Sequence, residues 1–124
     1  MPSRDLHDKP FDLGTITKLT FYRSYVRAWL QVFLHAEPFR GCPLQFFDCF
    51  AGPGEDENGE AGSPLILINE LLRERTSLAA RAHSVRIFFN DRDGKKIDQL
   101  KQRCAERALP WQPTFEALEF ADAF

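Results

Sequence analysis

Residues 44–54 read Leu44-Gln-Phe-Phe-Asp-Cys-Phe-Ala-Gly-Pro-Gly54, and an acidic segment then leads to Ser63-Pro64. The run from Leu44 to Phe50 is apolar except for Gln45 and Asp48, which predicts a short core strand. The two glycines permit backbone angles that are closed to other residues. Ser63-Pro64 predicts a helix start, with Ser63 as the N-cap and proline in the first turn. A strand, a glycine turn and a helix start in this order indicate a nucleotide-type binding site.

On both sides of this stretch the chain alternates between helical and strand patterns. Apolar and aromatic residues recur at helical spacing from Thr17 to His35, and we interpret this stripe as core packing. Downstream we predict four elements: an apolar helix over Pro64–Arg75, a strand over Val85–Asn90, a helix over 95–108 capped by Asp93, and a strand over Phe115–Phe120. Strands that alternate with helices predict right-handed crossovers and an α/β fold with a doubly wound parallel sheet.

Composition and length bound the class of protein. The chain has 124 residues, 44% of them hydrophobic, so it is one domain or part of one and has enough apolar material for a core. We interpret residues 1–16, which mix charge with proline and glycine, as a flexible leader, and residues 17–124 as the domain.

Charge and cysteine content bear on partners and compartment. The net charge of −2 gives no general attraction to nucleic acid or to anionic membranes. The three cysteines are odd in number and lack C-x-x-C spacing, which favours free thiols in a reducing compartment. Because the sequence also has no apolar signal core and no run of about 20 apolar residues, we expect a cytoplasmic protein without a membrane span.

Carboxylates follow the predicted strands, at the sheet edge where ligands of such folds bind. Asp48 lies near the end of the first strand, Asp91 ends the second, and Glu119 falls near the end of the third. A carboxylate at the position of Asp91 can accept both hydroxyls of a ribose. The alternative is that Asp91 and Asp93 only cap the following helix, and this is the interpretation we favour for Asp93. For Asp48 we expect both a structural role on loop amides and a role in ligand positioning.

The glycine turn does not match two common phosphate-binding motifs. No Gly-Lys-Ser/Thr follows it, so the lysine and the magnesium ligand of a P-loop are missing, and it lacks the G-x-G-x-x-G pattern as well. The acidic loop that follows, which contains Glu55, Asp56, Glu57 and Glu60, suits a ligand with a positive centre better than a pyrophosphate.

Cys49 and the histidines are the remaining candidates for chemistry. Cys49 flanks Asp48 but has no histidine placed by the sequence to activate it, so we interpret it as a small buried hydrophobe. The histidines His7, His35 and His83 lack the spacing of metal ligands, and we predict no metal site.

The motif resembles the signature of the three-Cys-motif partner protein family, whose members look like S-adenosylmethionine-dependent methyltransferases. The resemblance rests on the turn Phe47-Asp-Cys-Phe-Ala-Gly-Pro-Gly54, on Gly59-Glu-Ala-Gly-Ser-Pro64, on Tyr25-Val-Arg-Ala-Trp29 and on Phe88-Phe-Asn-Asp91-Arg-Asp93. It departs from the family where Lys18 is followed by Leu19 instead of histidine. It covers residues 18–122 and implies a Rossmann-like, methyltransferase-type sheet of about three strands, the first half of such a domain, behind an N-terminal helix.

The resemblance also implies a function and a set of site residues. The first cofactor motif for S-adenosylmethionine would comprise Asp48, Phe50, Ala51, Gly52 and Gly54. Asp91 would bind the adenosine ribose, and Glu119 would lie near the adenine, with Asp122 as a competing position. A half-domain implies that the isolated chain is inactive and tends to self-associate, and the resemblance assigns neither a catalytic residue nor a methyl acceptor. A nucleic-acid acceptor would rest on the family alone.

Two further expectations concern partners. The resemblance implies that the chain binds a three-Cys-motif protein encoded nearby, and the family name refers to the cysteines of that partner. The alternative function, from a different class, is a partner-binding module that keeps the fold without methyl transfer.

Overall fold

The computed structural model describes residues 10–119 of the chain. Its helices are α1 (Leu13–His35), α2 (Ser63–Arg73), α3 (Arg75–Ala80) and α4 (Gly94–Ala105), with a short 3-10 turn over Glu37–Phe39. Its strands are β1 (Leu44–Asp48), β2 (Val85–Asn90) and β3 (Thr114–Glu116). The predicted alternation of strands and helices is confirmed.

The three strands form a parallel sheet in the order β1-β2-β3. Leu44 pairs with Val85 and Asp48 with Phe89, while Phe89 pairs in turn with Phe115. The fold is therefore α/β with a parallel sheet, as the sequence predicts, and it is compatible with half of a Rossmann-like domain. Because all strands run in one direction, the residues after β1 and β2 meet at a single edge.

The core lies on one face of this sheet. Every second strand residue enters it, and the fully or nearly buried ones are Leu44, Ile87 and Phe89. Helices α1, α2 and α4 contribute the other buried residues, and Trp29 of α1 packs edge-on against Phe46 at a ring-centroid distance of 5.3 Å. Alternating burial along β1 and β2 follows from the two-residue period of a strand.

Helix α1 begins four residues earlier than the sequence predicts. The side chain of Asp12 caps it by accepting a hydrogen bond from the Thr15 N–H at 2.7 Å. Residues 13–16, which the sequence pattern assigns to the leader, therefore belong to α1, and residues 1–9 lie outside the described residues. The first turn contains Gly14, a poor helix former, and this residue concealed the start of the helix in the sequence.

The aromatic stripe of α1 is only partly core. Val26, Leu30 and Leu34 are buried, but Phe21 and Tyr25 are 72% and 66% exposed. Only one face of a helix packs against the core. The aromatic stripe of α1 is wider than that face, so Phe21 and Tyr25 remain exposed.

The start and the length of α2 also differ from the prediction. Gly62 is the N-cap residue, and the Ser63 side chain bonds elsewhere instead of capping the helix. The helix ends at Arg73, where α3 follows after Glu74. Asp93 does cap α4, accepting from the Lys95 N–H at 3.0 Å, as predicted.

The third strand is shorter than predicted and begins one residue earlier, at Thr114. Phe120, the predicted end of this strand, lies outside the described residues. No helix between residues 10 and 119 combines the length and the apolar character that crossing a membrane requires.

Candidate functional site

The glycine turn after β1 has the backbone geometry that its sequence predicts. Gly52 and Gly54 have φ angles of +70° and +100°, which side chains rarely allow. A Cβ added to Gly54 would lie 3.0 Å from Leu100 and 3.1 Å from Leu65. The turn is thus pressed against α2 and α4, and both its angles and its space require glycine.

Asp91 connects the end of β2 to this turn. Its Oδ2 atom accepts a hydrogen bond from the Gly52 N–H at 3.1 Å, and its Oδ1 atom accepts from the Asp93 N–H at 2.9 Å. Asp91 is only 7% exposed. It therefore has a structural role that joins β1 to β2, and each of its oxygens retains a second acceptor lone pair.

Asp48 makes the corresponding connection between β1 and α2. Its Oδ2 atom accepts from the Ser63 hydroxyl at 2.5 Å, and its Oδ1 atom accepts from the Phe50 N–H at 3.3 Å. Burial, and secondarily the charge of Asp48, raise the pKa of Tyr22 to about 12. The structural role expected for Asp48 is confirmed, and Ser63 is its partner.

A cleft of about 310 Å³ lies beside the turn. It is bounded by the segment before α1, the turn itself and the start of α2, and its lining includes Phe11, Asp12, Phe50, Ala51, Gly54 and Ser63. Its volume is at the lower end of the range of small-molecule sites. Of the predicted cofactor residues, Phe50, Ala51 and Gly54 line this cleft, whereas Asp48, Gly52, Asp91 and Glu119 are not among its lining residues.

The carboxylate of Asp56 organises the acidic loop that follows. Its Oδ1 atom accepts from the N–H groups of Asn58 and Glu60, and its Oδ2 atom accepts from the Phe11 N–H at 2.8 Å. Burial alone would raise the pKa of Asp56, but hydrogen bonds from these amides and from Gly59 together lower it below its ordinary value. Asp56 is thus a buried anion, where the sequence indicated only an acidic rim.

The opposite end of the loop is held by α4. Arg103 forms an ion pair with Glu55, with 3.3 Å between Nε and Oε1, and donates a hydrogen bond to the Pro53 carbonyl. The positive charge that stands beside the acidic loop therefore comes from a helix that is distant in sequence. The sequence offered no signal for this contact.

Asn90, at the end of β2, forms hydrogen bonds to the residues that follow β1 and β3. Its Nδ2 atom donates to the carbonyls of Cys49 and Leu118 at 3.3 and 2.9 Å, and its Oδ1 atom accepts from the Leu118 N–H. These hydrogen bonds position Leu118, the residue before Glu119. The side chain of Glu119 is exposed. The sequence shows an asparagine at the end of the predicted strand, but only the structure shows that it is buried and which groups it bonds.

The structure thus brings most of the predicted site residues together. The residues Asp48, Phe50, Ala51, Gly52, Gly54 and Asp91 lie in or against one turn. Glu119 lies beyond the Asn90 contact, on the side of the third strand, and Asp122 is outside the described residues. A larger hollow of about 580 Å³, near Lys101, Cys104 and Trp111, contains none of the predicted site residues.

The cysteines and histidines of the described residues have other surroundings. All three thiols, those of Cys42, Cys49 and Cys104, are free. Partial burial and the nearby charge of Asp48 raise the pKa of Cys49, which disfavours the thiolate that a nucleophile needs. Both ring nitrogens of the buried His83 lie near backbone carbonyls, at 2.8 and 3.0 Å. Between residues 10 and 119 no group of three or more His, Cys, Asp or Glu side chains could hold a metal ion.

No protein-family model matches the chain, and no curated protein or solved structure matches it either. The class of the protein therefore rests on its fold, an α/β domain with a parallel sheet. Chemically, the sheet edge offers a glycine turn and the carboxylate of Asp91, each oxygen of which can accept one more hydrogen bond. Beside them lies a cleft whose lining includes the aromatic residues Phe11 and Phe50. This combination suits a small ligand with hydroxyl groups or a positive centre.

Proposed function

We propose that the chain carries the cofactor-binding half of an S-adenosylmethionine-dependent, methyltransferase-like domain of the three-Cys-motif partner family. The observation that carries the proposal is the hydrogen bond between the Gly52 N–H and the Asp91 carboxylate. It joins a glycine turn after the first strand to an acid after the second, which is the arrangement that binds adenosine in Rossmann-like folds. The motif resemblance adds the choice of cofactor.

The residues present fit this cofactor. Gly54, which lines the cleft, would lie beside the methionine end, and Asp91 would accept the ribose hydroxyls with its remaining lone pairs. Among the cleft-lining side chains two are carboxylates, Asp12 and Glu55, and none is cationic, which suits a sulfonium better than a phosphate. When bound, the cofactor supplies a methyl group to a nucleophilic acceptor. The chain's own part is to bind and orient it and to exclude water.

The proposal extends to a compartment and a partner. We propose a cytoplasmic location, which the three free thiols support because thiols persist in a reducing compartment. The family resemblance supports a three-Cys-motif protein as its partner.

The second candidate is a partner-binding module without methyl transfer. It is favoured by the outer face of α1, where Phe21, Tyr25 and Val32 are each more than half exposed. Exposed apolar side chains at helical spacing are typical of a docking face. The same face would also support self-association.

Binding of S-adenosylmethionine separates the two candidates. We expect the purified chain to bind it in titration calorimetry, and Asp91→Ala to weaken binding by roughly 1–3 kcal/mol through lost hydrogen bonds to a charged acceptor. Asp91→Asn, which keeps one acceptor oxygen, should lose less. Asp98→Asn, on the exposed side of α4, is the control for the removed charge.

The outcomes are distinct. A wild-type chain that binds no S-adenosylmethionine at millimolar concentration would contradict the cofactor proposal and favour the module. Binding that is unaltered by Asp91→Ala would limit Asp91 to its structural contact with Gly52.

A further inference from the structure

The segment before α1 is attached to the acidic loop by a single buried carboxylate. Asp56 is 6% exposed and accepts the Phe11 N–H at 2.8 Å across 45 residues of sequence. The neighbouring residues Glu57 to Glu60 are exposed, so Asp56 is the buried residue in a surface loop. Burying a carboxylate costs free energy unless hydrogen-bond donors compensate, and the Phe11 N–H is one of these donors.

The consequence of this attachment is the outer wall of the cleft. Pro10, Phe11 and Asp12 all line it, as do Ala51 and Gly54 of the turn. The Phe11 ring reaches Gly62, where an added Cβ would lie 3.7 Å from ring atom Cζ. Without Asp56, the backbone of this wall has no other hydrogen bond to the loop among those seen within residues 10–119.

The wall brings an aromatic face and a negative charge to the same side of the cleft. Asp12 is exposed and its pKa is lowered chiefly by hydrogen bonds from Thr15, with a minor contribution from Lys18. Glu55 is the other carboxylate of the lining, and Arg103 neutralises its negative charge by an ion pair. An aromatic ring beside a carboxylate attracts a cation more strongly than it attracts a neutral group of the same shape.

We propose that Asp56 is a positioning residue that holds Phe11 as the wall of this cleft, and that this wall distinguishes a cationic ligand from its neutral counterpart. The inference rests on the proposed function, in which the ligand is a sulfonium. The cofactor and its demethylated product, S-adenosylhomocysteine, differ by the methyl group and the positive charge. The wall would therefore contribute to binding the cofactor and little to retaining the product.

The test compares the affinities of the full chain for S-adenosylmethionine and S-adenosylhomocysteine. Phe11→Leu keeps apolar volume and the backbone N–H but removes the aromatic face, and Asp56→Asn removes the charged acceptor of the Phe11 amide. We expect each to weaken S-adenosylmethionine binding about threefold or more and to change S-adenosylhomocysteine binding less than about twofold. A merely structural role would weaken both ligands equally and leave their ratio unchanged.

Two matched controls accompany these variants. Glu57→Gln removes the same charge from the same loop, and Phe21→Leu alters an exposed aromatic residue that does not line the cleft. Neither should change the ratio of the two affinities. Amide exchange followed by NMR provides a readout without ligand, because the Phe11 N–H should lose protection in Asp56→Asn and keep it in Glu57→Gln.

The inference and the proposed function fail in different ways. If the wild-type chain binds both ligands and their ratio is unmoved in Phe11→Leu and Asp56→Asn, the inference is wrong and the proposed function stands. If the wild-type chain binds neither ligand, both are wrong. If Asp56→Asn fails to fold, Phe11→Leu still decides the question, because it leaves the hydrogen bond to Asp56 in place.

Discussion

At the scale of single residues, three carboxylates in and around the glycine turn accept hydrogen bonds that hold the fold together. Asp48 binds the Ser63 hydroxyl, Asp56 binds the Phe11 amide and Asp91 binds the Gly52 amide. Each contact joins segments that are far apart in sequence. The residues proposed to bind ligand are thus also residues that hold the turn, so a variant's stability has to be measured beside its affinity.

Gly54 and Gly59 both have a positive φ, but Gly54 is tightly packed and Gly59 is not, and this difference gives a prediction. Gly54→Ala should destabilise the chain by about 2–4 kcal/mol, since roughly 1 kcal/mol comes from the positive φ and the rest from overpacking against Leu65 and Leu100. Gly59 has a φ of +80° but no atom within 4 Å of an added Cβ, so Gly59→Ala should cost only about 1 kcal/mol. Urea unfolding measures both. Equal losses would mean that the contact with α2 and α4 is not tight.

At the scale of elements, α1 is joined to α2 by an ion pair that the sequence patterns concealed. Glu70 is a buried residue of α2, and its carboxylate accepts from Arg27 Nε at 3.0 Å and from Arg27 Nη2 at 2.8 Å. Arg73 adds a longer contact at 3.4 Å. Hydrogen bonds from Arg27 outweigh burial and lower the pKa of Glu70.

Removing this charge should destabilise the packing of α1 on α2 in a pH-dependent way. Because Arg27 is half exposed, we expect Glu70→Gln to cost only about 1–2 kcal/mol at neutral pH. Glu70 binds its proton more weakly in the folded than in the unfolded chain, so its contribution is present above about pH 4.5 and is lost as the pH falls further. The difference between wild type and Glu70→Gln should therefore shrink on acidification.

Urea unfolding between pH 7 and pH 3 tests this prediction. Glu37→Gln is the matched control, because the Glu37 side chain pairs with Arg40 and Arg81 but is 73% exposed, and its loss should change stability little. A cost for Glu70→Gln that stays constant down to pH 3 would contradict the charged hydrogen bond as its origin.

At the scale of the whole molecule, the part of the sheet that the structure describes has one central strand, β2, and two edge strands, β1 and β3. Within residues 10–119, β2 pairs on both sides, whereas β1 pairs only with β2. Leu44 donates its N–H to the Ser84 carbonyl, and by the two-residue alternation of a parallel strand the Phe46 N–H also faces β2 while the Gln45 N–H faces away.

This arrangement predicts unequal protection of neighbouring amides. In NMR hydrogen exchange of dilute protein, we expect the Phe46 amide to exchange at least tenfold more slowly than the Gln45 amide, since only Phe46 points into the sheet. Raising the protein concentration provides the control, because self-association at the edge would selectively slow Gln45. Equal, slow exchange of both amides at low concentration would show that the edge of β1 is covered.

The sequence by itself determined the three strands, the three longer helices and their order, although it did not predict α3. The apolar run of β1 and the glycine turn that follows it are local patterns, as are the second strand and the Asp93 cap, so residues a few positions apart suffice to predict them. The parallel sheet also followed, because alternating strands and helices leave few topologies. Even the gathering of Asp48, Gly52 and Asp91 at one edge was predictable, since it depends only on strand direction.

Only the tertiary structure decided which partner each polar group takes. Ser63 could cap its own helix or bind Asp48, and it binds Asp48. Asp56 could belong to a solvated acidic rim, yet it is buried and accepts a hydrogen bond from the Phe11 N–H, 45 residues upstream. The exposure of Tyr25 and the burial of Glu70 likewise depend on how α1 and α2 face each other. Such contacts join distant segments, and no periodicity in the sequence encodes them, because hydrogen-bond partners are chosen by packing in three dimensions.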